Sequence, residues 1–357
     1  MIIQELTLRQ FRNHSYLKIN FEKGINAIVG SNGIGKTNIV EAIYFLSYGR
    51  SFRTENEMDM IQENQEFASI EGVFKNDDDE TKKIKVVITR SGKKITYNGV
   101  ELKKVSELTS LTNIISFKPS DVMLFDNAPH YRRRFIDLCI MKFDANYTIL
   151  MTNYNNLLKE RNEILKLEKI NEIQLDIITE QMIDIEFEIV KKRKSFIAEL
   201  NSIAKRVLFD LKGEETEVLI KYRSFVDCDA SLFKERAKKA YFDNLERDLK
   251  TRSTNIGVQR EDFSTLVNNR DIEVYGSQGQ KRQLSLALSL CPYFVYKDKD
   301  RKPIVILDDV LSELDYSNQK RLIEFVGHMN QTFITSTEFK YKCSTYHEVG
   351  HHKVTRR

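Results

Sequence analysis

Eight consecutive residues carry the clearest chemistry in this chain. Gly30-Ser31-Asn32-Gly33-Ile34-Gly35-Lys36-Thr37 satisfies G-x-x-x-x-G-K-[ST] at every fixed position. Glycines tolerate positive φ, so successive backbone N–H groups can converge on one point. Those donors, with the N-terminus of a following helix, cradle anionic phosphates. At this spacing Lys36 reaches the β- and γ-phosphates of a nucleoside triphosphate, and the Thr37 hydroxyl is a magnesium ligand. The motif needs a strand before it and a helix after it. The apolar run Ile25–Val29 leads in, and helical spacing at Ile39, Ile43 and Leu46 leads out.

A second segment completes the first. Ile304–Leu307 reads as an apolar strand ending in Asp308 and Asp309, as a buried parallel strand is followed by its functional tip. Asp308 is the expected partner of magnesium, directly or through water. Asp309 is placed to orient or deprotonate an attacking water. Residues 38–302 lie between the two segments, so the chain must leave the phosphate site and return to it. That predicts an ATPase head with a large insertion.

Other segments admit more than one reading. Tyr275-Gly276-Ser277-Gln278-Gly279-Gln280-Lys281-Arg282 is a glycine-containing turn that opens a helix, and taken alone Ser277 is its N-cap. Ser312-Glu313-Leu314-Asp315 is by itself a capped turn. Basic residues occur at Arg50 and Arg53, at Arg132, Arg133 and Arg134, and at Lys191-Lys192-Arg193-Lys194. Lys and Arg pair with nucleic-acid phosphates and release counterions, yet each cluster also reads as a solvated helix face. For Arg132–Arg134 a structural role stays open as well, because Phe135 and Ile136 carry that helix into a core. His347-Glu348-Val349-Gly350-His351 matches H-E-x-x-H, a zinc pattern that requires a helix. Gly350 lies inside it and Tyr346–Val354 reads as a β-hairpin, so no metal is expected there.

The elements that must position these groups follow from periodicity. Ile2–Leu8 and Tyr16–Phe21 alternate as strands, Ala68–Phe74 and Lys83–Thr89 read as a hairpin, and Ile95–Gly99 adds a strand. Beyond Pro119 the pattern turns helical, with long amphipathic stretches at Tyr147–Leu167 and Ile173–Leu208. Strands are predicted again at Val218–Phe225 and Asp271–Tyr275, and a last strand of the head at Gln331–Thr335. The chain has 357 residues, 30% of them charged, and a net charge of +4. That balance neither demands nor excludes nucleic acid. No apolar run reaches membrane-span length, and the opening residues enter a strand without signal-peptide anatomy. The four cysteines, Cys139, Cys228, Cys291 and Cys343, are widely separated, as free thiols in a reducing cytoplasm would be. A cytoplasmic protein is the expectation.

Taken in order, these motifs resemble a known family. Tyr275–Arg282 is similar to the signature loop of ATP-binding-cassette ATPases, and Ser312–Asp315 to their D-loop. Leu8-Arg9-Gln10-Phe11-Arg12-Asn13-His14, the glycine loop, Gly49-Arg50-Ser51-Phe52-Arg53-Thr54, Arg132–Asp137, Tyr275–Arg282 and Leu307–Asp315 together resemble the RecF family. Those bacterial recombination mediators are related to the heads of SMC-type ATPases. The resemblance implies an α/β, ABC/SMC-like P-loop head built from residues 1–115 and 256–357, with an α-helical lid or arm at 116–255. It implies ATP and Mg2+ as cofactors, with Arg12 and Asn13 beside the nucleotide, although a polar turn between two strands would look the same. It implies that Ser277, Gly279 and Gln280 contact the γ-phosphate held by a second subunit. Further implications are an ATP-dependent homodimer that clamps single- and double-stranded DNA at gaps, RecR as a partner, RecA loading and the SOS response. Most relatives of this architecture carry Glu where Asp309 stands, and Asp is one methylene shorter, so hydrolysis is expected to be slow; the resemblance implies that DNA stimulates it.

Three places depart from the family pattern. Gly257-Val258-Gln259-Arg260-Glu261-Asp262 replaces Gly-Pro-His-Arg-Asp-Asp. A Q-loop glutamine is not visible, and Phe117–Ser120 is its location by position. Thr335-Ser336-Thr337 occupies the switch position in place of a histidine. The alternatives are a transporter ATPase subunit, disfavoured by the helical insertion and missing switch histidine, and a structural SMC protein, for which the insertion is too short.

Overall fold

The computed structural model describes residues 1–76, 80–126, 128–226, 230–296, 302–350 and 353–356. The chain divides into two compact units. One comprises Met1–Val122, Arg206–Glu215 and Arg282–Arg357, and the other Met123–Lys205 and Thr216–Lys281. The first is therefore assembled from both chain ends.

Two sheets build the first unit. β1 (Ile2–Phe11) and β2 (His14–Asn20) form an antiparallel pair. β3 (Gly24–Val29) leads through the glycine loop into α1 (Lys36–Tyr48). β4 (Phe67–Lys75), β5 (Thr81–Thr89), β6 (Gly92–Tyr97) and β7 (Val100–Glu101) extend the antiparallel sheet in the order β2-β1-β4-β5-β6-β7. On β5 the buried residues Ile84, Val86 and Ile88 alternate with exposed or half-exposed ones, the pattern of a sheet with one wet face. After α2 (Val105–Leu111) comes β8 (Ile114–Phe117).

The second unit holds α3 (Pro129–Phe143), α4 (Ala145–Ile164) and most of α5 (Glu172–Lys212). At 41 residues, α5 spans about 60 Å. β9 (Val218–Arg223), α6 (Phe233–Asp243), α7 (Leu245–Thr251), β10 (Asp262–Val267), β11 (Arg270–Asp271) and α8 (Ile272–Tyr275) follow. The order β11-β10-β9 makes a three-stranded antiparallel sheet. α9 (Gln278–Leu290) and α10 (Pro292–Val295) precede β12 (Ile304–Asp308), α11 (Tyr316–Gly327), β13 (Gln331–Ser336), β14 (Thr345–Gly350) and β15 (Lys353–Arg356).

The last strands return to the first unit. Its second sheet runs β15-β14-β3-β13-β12-β8, parallel throughout except for β15. β12 and β13 are buried at every residue, because a central parallel strand is covered on both faces. α1 is buried at Ile39, Val40, Glu41, Ala42, Ile43, Tyr44, Phe45, Leu46 and Ser47, not on the single face its spacing predicts. It shares one core with residues of both sheets, so it has almost no solvent side. Gln331 joins the sheets directly: its amide oxygen accepts from Ile3 N at 2.8 Å, and its amide nitrogen donates to Ile3 O and Glu22 O at 2.8 and 2.9 Å.

Two local expectations change, and one strand, β8, was not expected. Asp271–Tyr275 is not a strand: β11 ends at Asp271, whose side chain accepts from Glu273 N at 2.9 Å and caps α8. Its strand partner β10 lies earlier, across a turn at Asn268 and Asn269, both at positive φ. β8, Ile114-Ile115-Ser116-Phe117, has three apolar residues and ends two positions before Pro119, too short to stand out from the helical region after it. Gln331–Thr335 is not the last strand of the head: β14 follows it in the chain and pairs parallel with β3.

Candidate active site

Sheet register brings the distant motifs together. In β13, Thr335 pairs with Ile28 of β3 on one side and with Asp308 of β12 on the other. Three strand ends therefore finish side by side, one carrying the glycine loop and one carrying the acidic pair. Thr37 Oγ1 donates to Asp308 Oδ1 at 3.1 Å.

The loop has the backbone its glycines predict. Gly33 and Gly35 lie at φ +77° and +113°, which L side chains rarely adopt. A Cβ on Gly35 would also meet Asn13 Nδ2 at 2.5 Å. Ser31, Asn32 and Gly33 are exposed, while Ile34 is buried as the loop's anchor. Lys36 is only 7% exposed and donates to Gly30 O at 2.8 Å and Ser31 O at 3.0 Å. Burial pushes its pKa down, and the negative charges of Asp309 and Asp308 oppose that shift.

Asp308 is 4% exposed, and its Oδ1 also accepts from Thr335 Oγ1 at 2.6 Å. Burial raises its pKa; the Thr335 and Thr37 hydroxyls oppose the rise, Asp309 adds to it, and Arg53 opposes it. Asp309 sits at φ +52° with its N–H donating to Thr335 Oγ1 at 2.9 Å. Its Oδ1 is buried without a hydrogen-bond partner among the described residues.

These groups fit a magnesium nucleotide. Hard oxygen donors on Thr37 and Asp308 are the ligands magnesium takes. The Lys36 ammonium lies against the loop carbonyls, and the orphan oxygen of Asp309 calls for a donor such as water.

A ring of polar contacts supports the loop. Asn13 Nδ2 donates to Ile34 O at 2.8 Å, Asn38 Nδ2 to Asn13 Oδ1 at 2.7 Å, and Arg53 to Asn38 Oδ1 at 2.7 Å. Arg12, itself at φ +54°, makes a two-pronged pair with Glu41 at 3.0 and 2.6 Å. Glu41 is fully buried, accepts from Ser51 Oγ, and has Arg53 3.6 Å away. Arg12 and Asn13 thus lie against the glycine loop and its helix. Sequence reasoning missed Glu41, and it placed Ser51 and Thr335 within quoted segments without giving either a role. The available signal for Glu41 was a lone carboxylate in the middle of an apolar helix.

The signature segment belongs to the second unit. Ser277 Oγ accepts from Gln280 N at 3.3 Å, and Ser277 N donates to Gln280 Oε1 at 2.9 Å. That reciprocal pair is a capping box, so the N-cap reading of Ser277 applies. Ser277, Gly279 and Gln280 are all exposed, and the loop is accessible. In the first unit, Ser312 Oγ donates to Asp309 O at 2.8 Å, Glu313 pairs with Arg282 at 2.9 Å, and Asp315 caps α11. Hydrogen bonds from Asn318 N and Ser317 hold the Asp315 pKa down.

The basic residues separate by burial. Arg132 is 4% exposed, with its guanidinium on Asp262 at 2.9 and 2.7 Å and Glu273 at 3.3 Å. Arg133 donates to Glu261 O at 2.6 Å. For these two the structural alternative applies, whereas Arg134, Arg50 and Arg53 are exposed. Arg193 is buried and Lys192 pairs with Asp144, which leaves Lys191 and Lys194 exposed in that cluster.

His347 and Glu348 are consecutive residues of β14, not one face of a helix, and His351 lies outside the described residues. Burial pushes the His347 pKa down to about 4, assisted by Arg356. Among the described residues no cluster of three His, Cys, Asp or Glu could hold a metal. Nor is any helix there long and apolar enough to cross a membrane. Cys139, Cys291 and Cys343 are not joined in disulfides, and Cys228 lies outside the described residues.

Comparison with known proteins agrees with this architecture. Residues 2–351 match the RecF/RecN/SMC N terminal domain. The DNA replication and repair protein RecF of Halalkalibacterium halodurans is 36% identical over 345 residues, covering 94% of this chain and 93% of that protein. Two solved structures of the recombination mediator protein RecF of the RecFOR pathway align with it. The RecF-ATPrS structure has a TM-score of 0.92 at 31% identity, covering 99% of this chain and 98% of the other. The RecF-ATP structure has a TM-score of 0.91 at 32% identity, covering 99% and 97%. With an SMC-type head fold and near full-length similarity to these relatives, this chain belongs to the RecF family.

Proposed function

We propose that this chain binds ATP with magnesium in the glycine loop and that two copies close on DNA when they do. The carrying observation is the 3.1 Å bond between Thr37 and Asp308, which unites residues 271 positions apart in one pocket. The RecF structure named with ATP supports the choice of nucleotide. Loop N–H groups and Lys36 bind and orient the β- and γ-phosphates. Thr37 and Asp308 would hold magnesium, which supplies charge neutralisation at the phosphates when bound. Arg12 and Asn13, braced by Glu41 and Asn38, border the nucleotide. Asp309 orients the attacking water, and its short side chain makes turnover slow. Exposed Ser277, Gly279 and Gln280 reach the γ-phosphate of a second copy's site, which makes ATP the ligand of the closed dimer.

On this reading residues 1–115 and 256–357 form the head, residues 116–255 supply the lid or arm, and the chain acts in the cytoplasm. The closed dimer holds DNA at single-strand gaps, with Arg50, Arg53 and Arg134 as its candidate phosphate contacts. With RecR it promotes RecA loading and the SOS response, and DNA stimulates its weak ATPase. Sedimentation with and without ATP is the deciding experiment. The expected result is an ATP-dependent dimer that Ser277→Arg abolishes without loss of nucleotide binding. A wild-type chain that stays monomeric with saturating ATP overturns the clamp. Gel shifts on gapped, single-strand and duplex DNA at several salt concentrations test the DNA half.

A further inference from the structure

We infer that Thr335 is a positioning residue whose single hydroxyl sets both acidic groups of the site. The inference rests on the roles proposed above for Asp308 and Asp309. Thr335 is 0% exposed at the end of β13, in register with Asp308. Its hydroxyl donates to Asp308 Oδ1 at 2.6 Å and accepts from the Asp309 N–H at 2.9 Å. A hydroxyl has one proton to give and lone pairs to receive, so one small group serves both neighbours.

Each bond answers a specific difficulty. Asp308 is 4% exposed, and a buried carboxylate needs donors; the Thr335 hydroxyl supplies one at 2.6 Å. Thr335 and Thr37 both end on Oδ1, which fixes the rotation of the carboxylate between β12 and α1. Asp309 occupies a left-handed backbone conformation at φ +52°, which is strained for a residue with a Cβ. Capture of its N–H by Thr335 holds that turn. Without the turn, the Asp309 side chain would leave the place where its orphan Oδ1 now lies. The Ser312 hydroxyl bonded to Asp309 O braces the other end of the same residue.

The experiment measures affinity for a fluorescent non-hydrolysable ATP analogue, with and without magnesium, on the full-length chain. Steady-state hydrolysis and thermal unfolding without nucleotide are recorded in parallel. Thr335→Val keeps the shape but loses both bonds. It is expected to lose roughly tenfold of the magnesium-dependent tightening, while magnesium-free affinity stays within about twofold. Turnover falls with it. Thr335→Ser restores both readouts to within about threefold. Should the valine variant fail to fold, Thr335→Cys, a weak donor of similar size, replaces it with the same expectation. Full magnesium tightening in Thr335→Val or Thr335→Cys overturns the inference. So does a serine variant as defective as the valine one, because packing and not the hydroxyl would then matter. Failure of the underlying site reading looks different: Lys36→Met and Asp308→Asn would bind the magnesium nucleotide as the wild type does.

Discussion

The arginine sites of the second unit and the phosphate site of the first bury charge in opposite ways. In the second unit, Arg193 donates to Asp137 at 2.9 and 3.0 Å, Glu261 at 2.9 Å, Val258 O at 2.8 Å and Tyr147 at 3.1 Å. Arg161 donates to Thr179 at 3.0 Å, Asp248 at 2.8 Å and Thr254 at 2.7 Å. These guanidiniums meet several acceptors of the protein itself, a carboxylate among them in each case, as a buried cation requires. In the first unit, Lys36 rests on two loop carbonyls, and Asp309 keeps an oxygen unpartnered. The two arginine sites spend their hydrogen bonds on the protein itself; the phosphate site withholds some for a ligand, and in the second unit Glu186 Oε2 is likewise left without a partner among the described residues. The same residue types therefore mean different things, and the discriminating property is how many partners the protein itself supplies.

That contrast can be broken at several points. Arg193→Met should cost the most stability, about 3–5 kcal/mol, since it strands Asp137 and Glu261 without a counter-charge. Urea unfolding measures it, and nucleotide affinity of the surviving folded fraction should not change. Lys36→Met should do the reverse. Loss of a charged hydrogen bond of about 1.5–3 kcal/mol corresponds to roughly 10–150-fold weaker ATP binding, with an unfolding midpoint near that of the wild type. If both variants lose stability and binding alike, the two regions are not distinct in kind.

A finer test concerns Glu186, which accepts from Tyr241 at 2.9 Å and Val258 N at 3.2 Å. Burial pushes its pKa up to about 8, against the influence of those bonds. The folded chain then retains a proton that the unfolded chain loses above its ordinary carboxylate range. Stability from this group is present at low pH and lost as pH rises toward 8. The slope for one proton approaches about 1.4 kcal/mol per pH unit. Glu186→Gln should flatten the fall in unfolding free energy between pH 5 and 8, and an unchanged profile would show Glu186 ionised in the folded state. The smallest effect belongs to the surface. Arg134→Ala should leave stability alone and reduce the salt slope of DNA binding by about one, whereas Arg132→Ala should act through stability. Equal salt effects from the two would erase the distinction drawn from their burial.

Much of the site was legible because phosphate chemistry restricts residue type and spacing within a few positions. Gly30–Thr37 could be read as a loop, and Asp308 as the end of a buried strand, from local pattern alone. Glu41 and Thr335 were harder. Each looks ordinary in its own segment and acquires a role only through a partner far away in sequence. The strand expected at Asp271–Tyr275 failed for a related reason. Apolar and polar residues alternate there, but the Asp271 cap outweighs that alternation. Arg132 and Arg134 sit two residues apart on one helix, and no local rule says which of them turns inward.

What the amino-acid order determined alone was the inventory: a phosphate loop, an acidic strand end, a capped signature turn and a long helical middle. These are short-range patterns, governed by backbone preference and side-chain period. What the tertiary structure decided was the company each group keeps. Sheet register set Thr335 between Ile28 and Asp308, and packing closed Arg193 within its own carboxylates. Partnership across hundreds of residues depends on which strands lie side by side, and that is decided by burial of the whole core, not by any one segment.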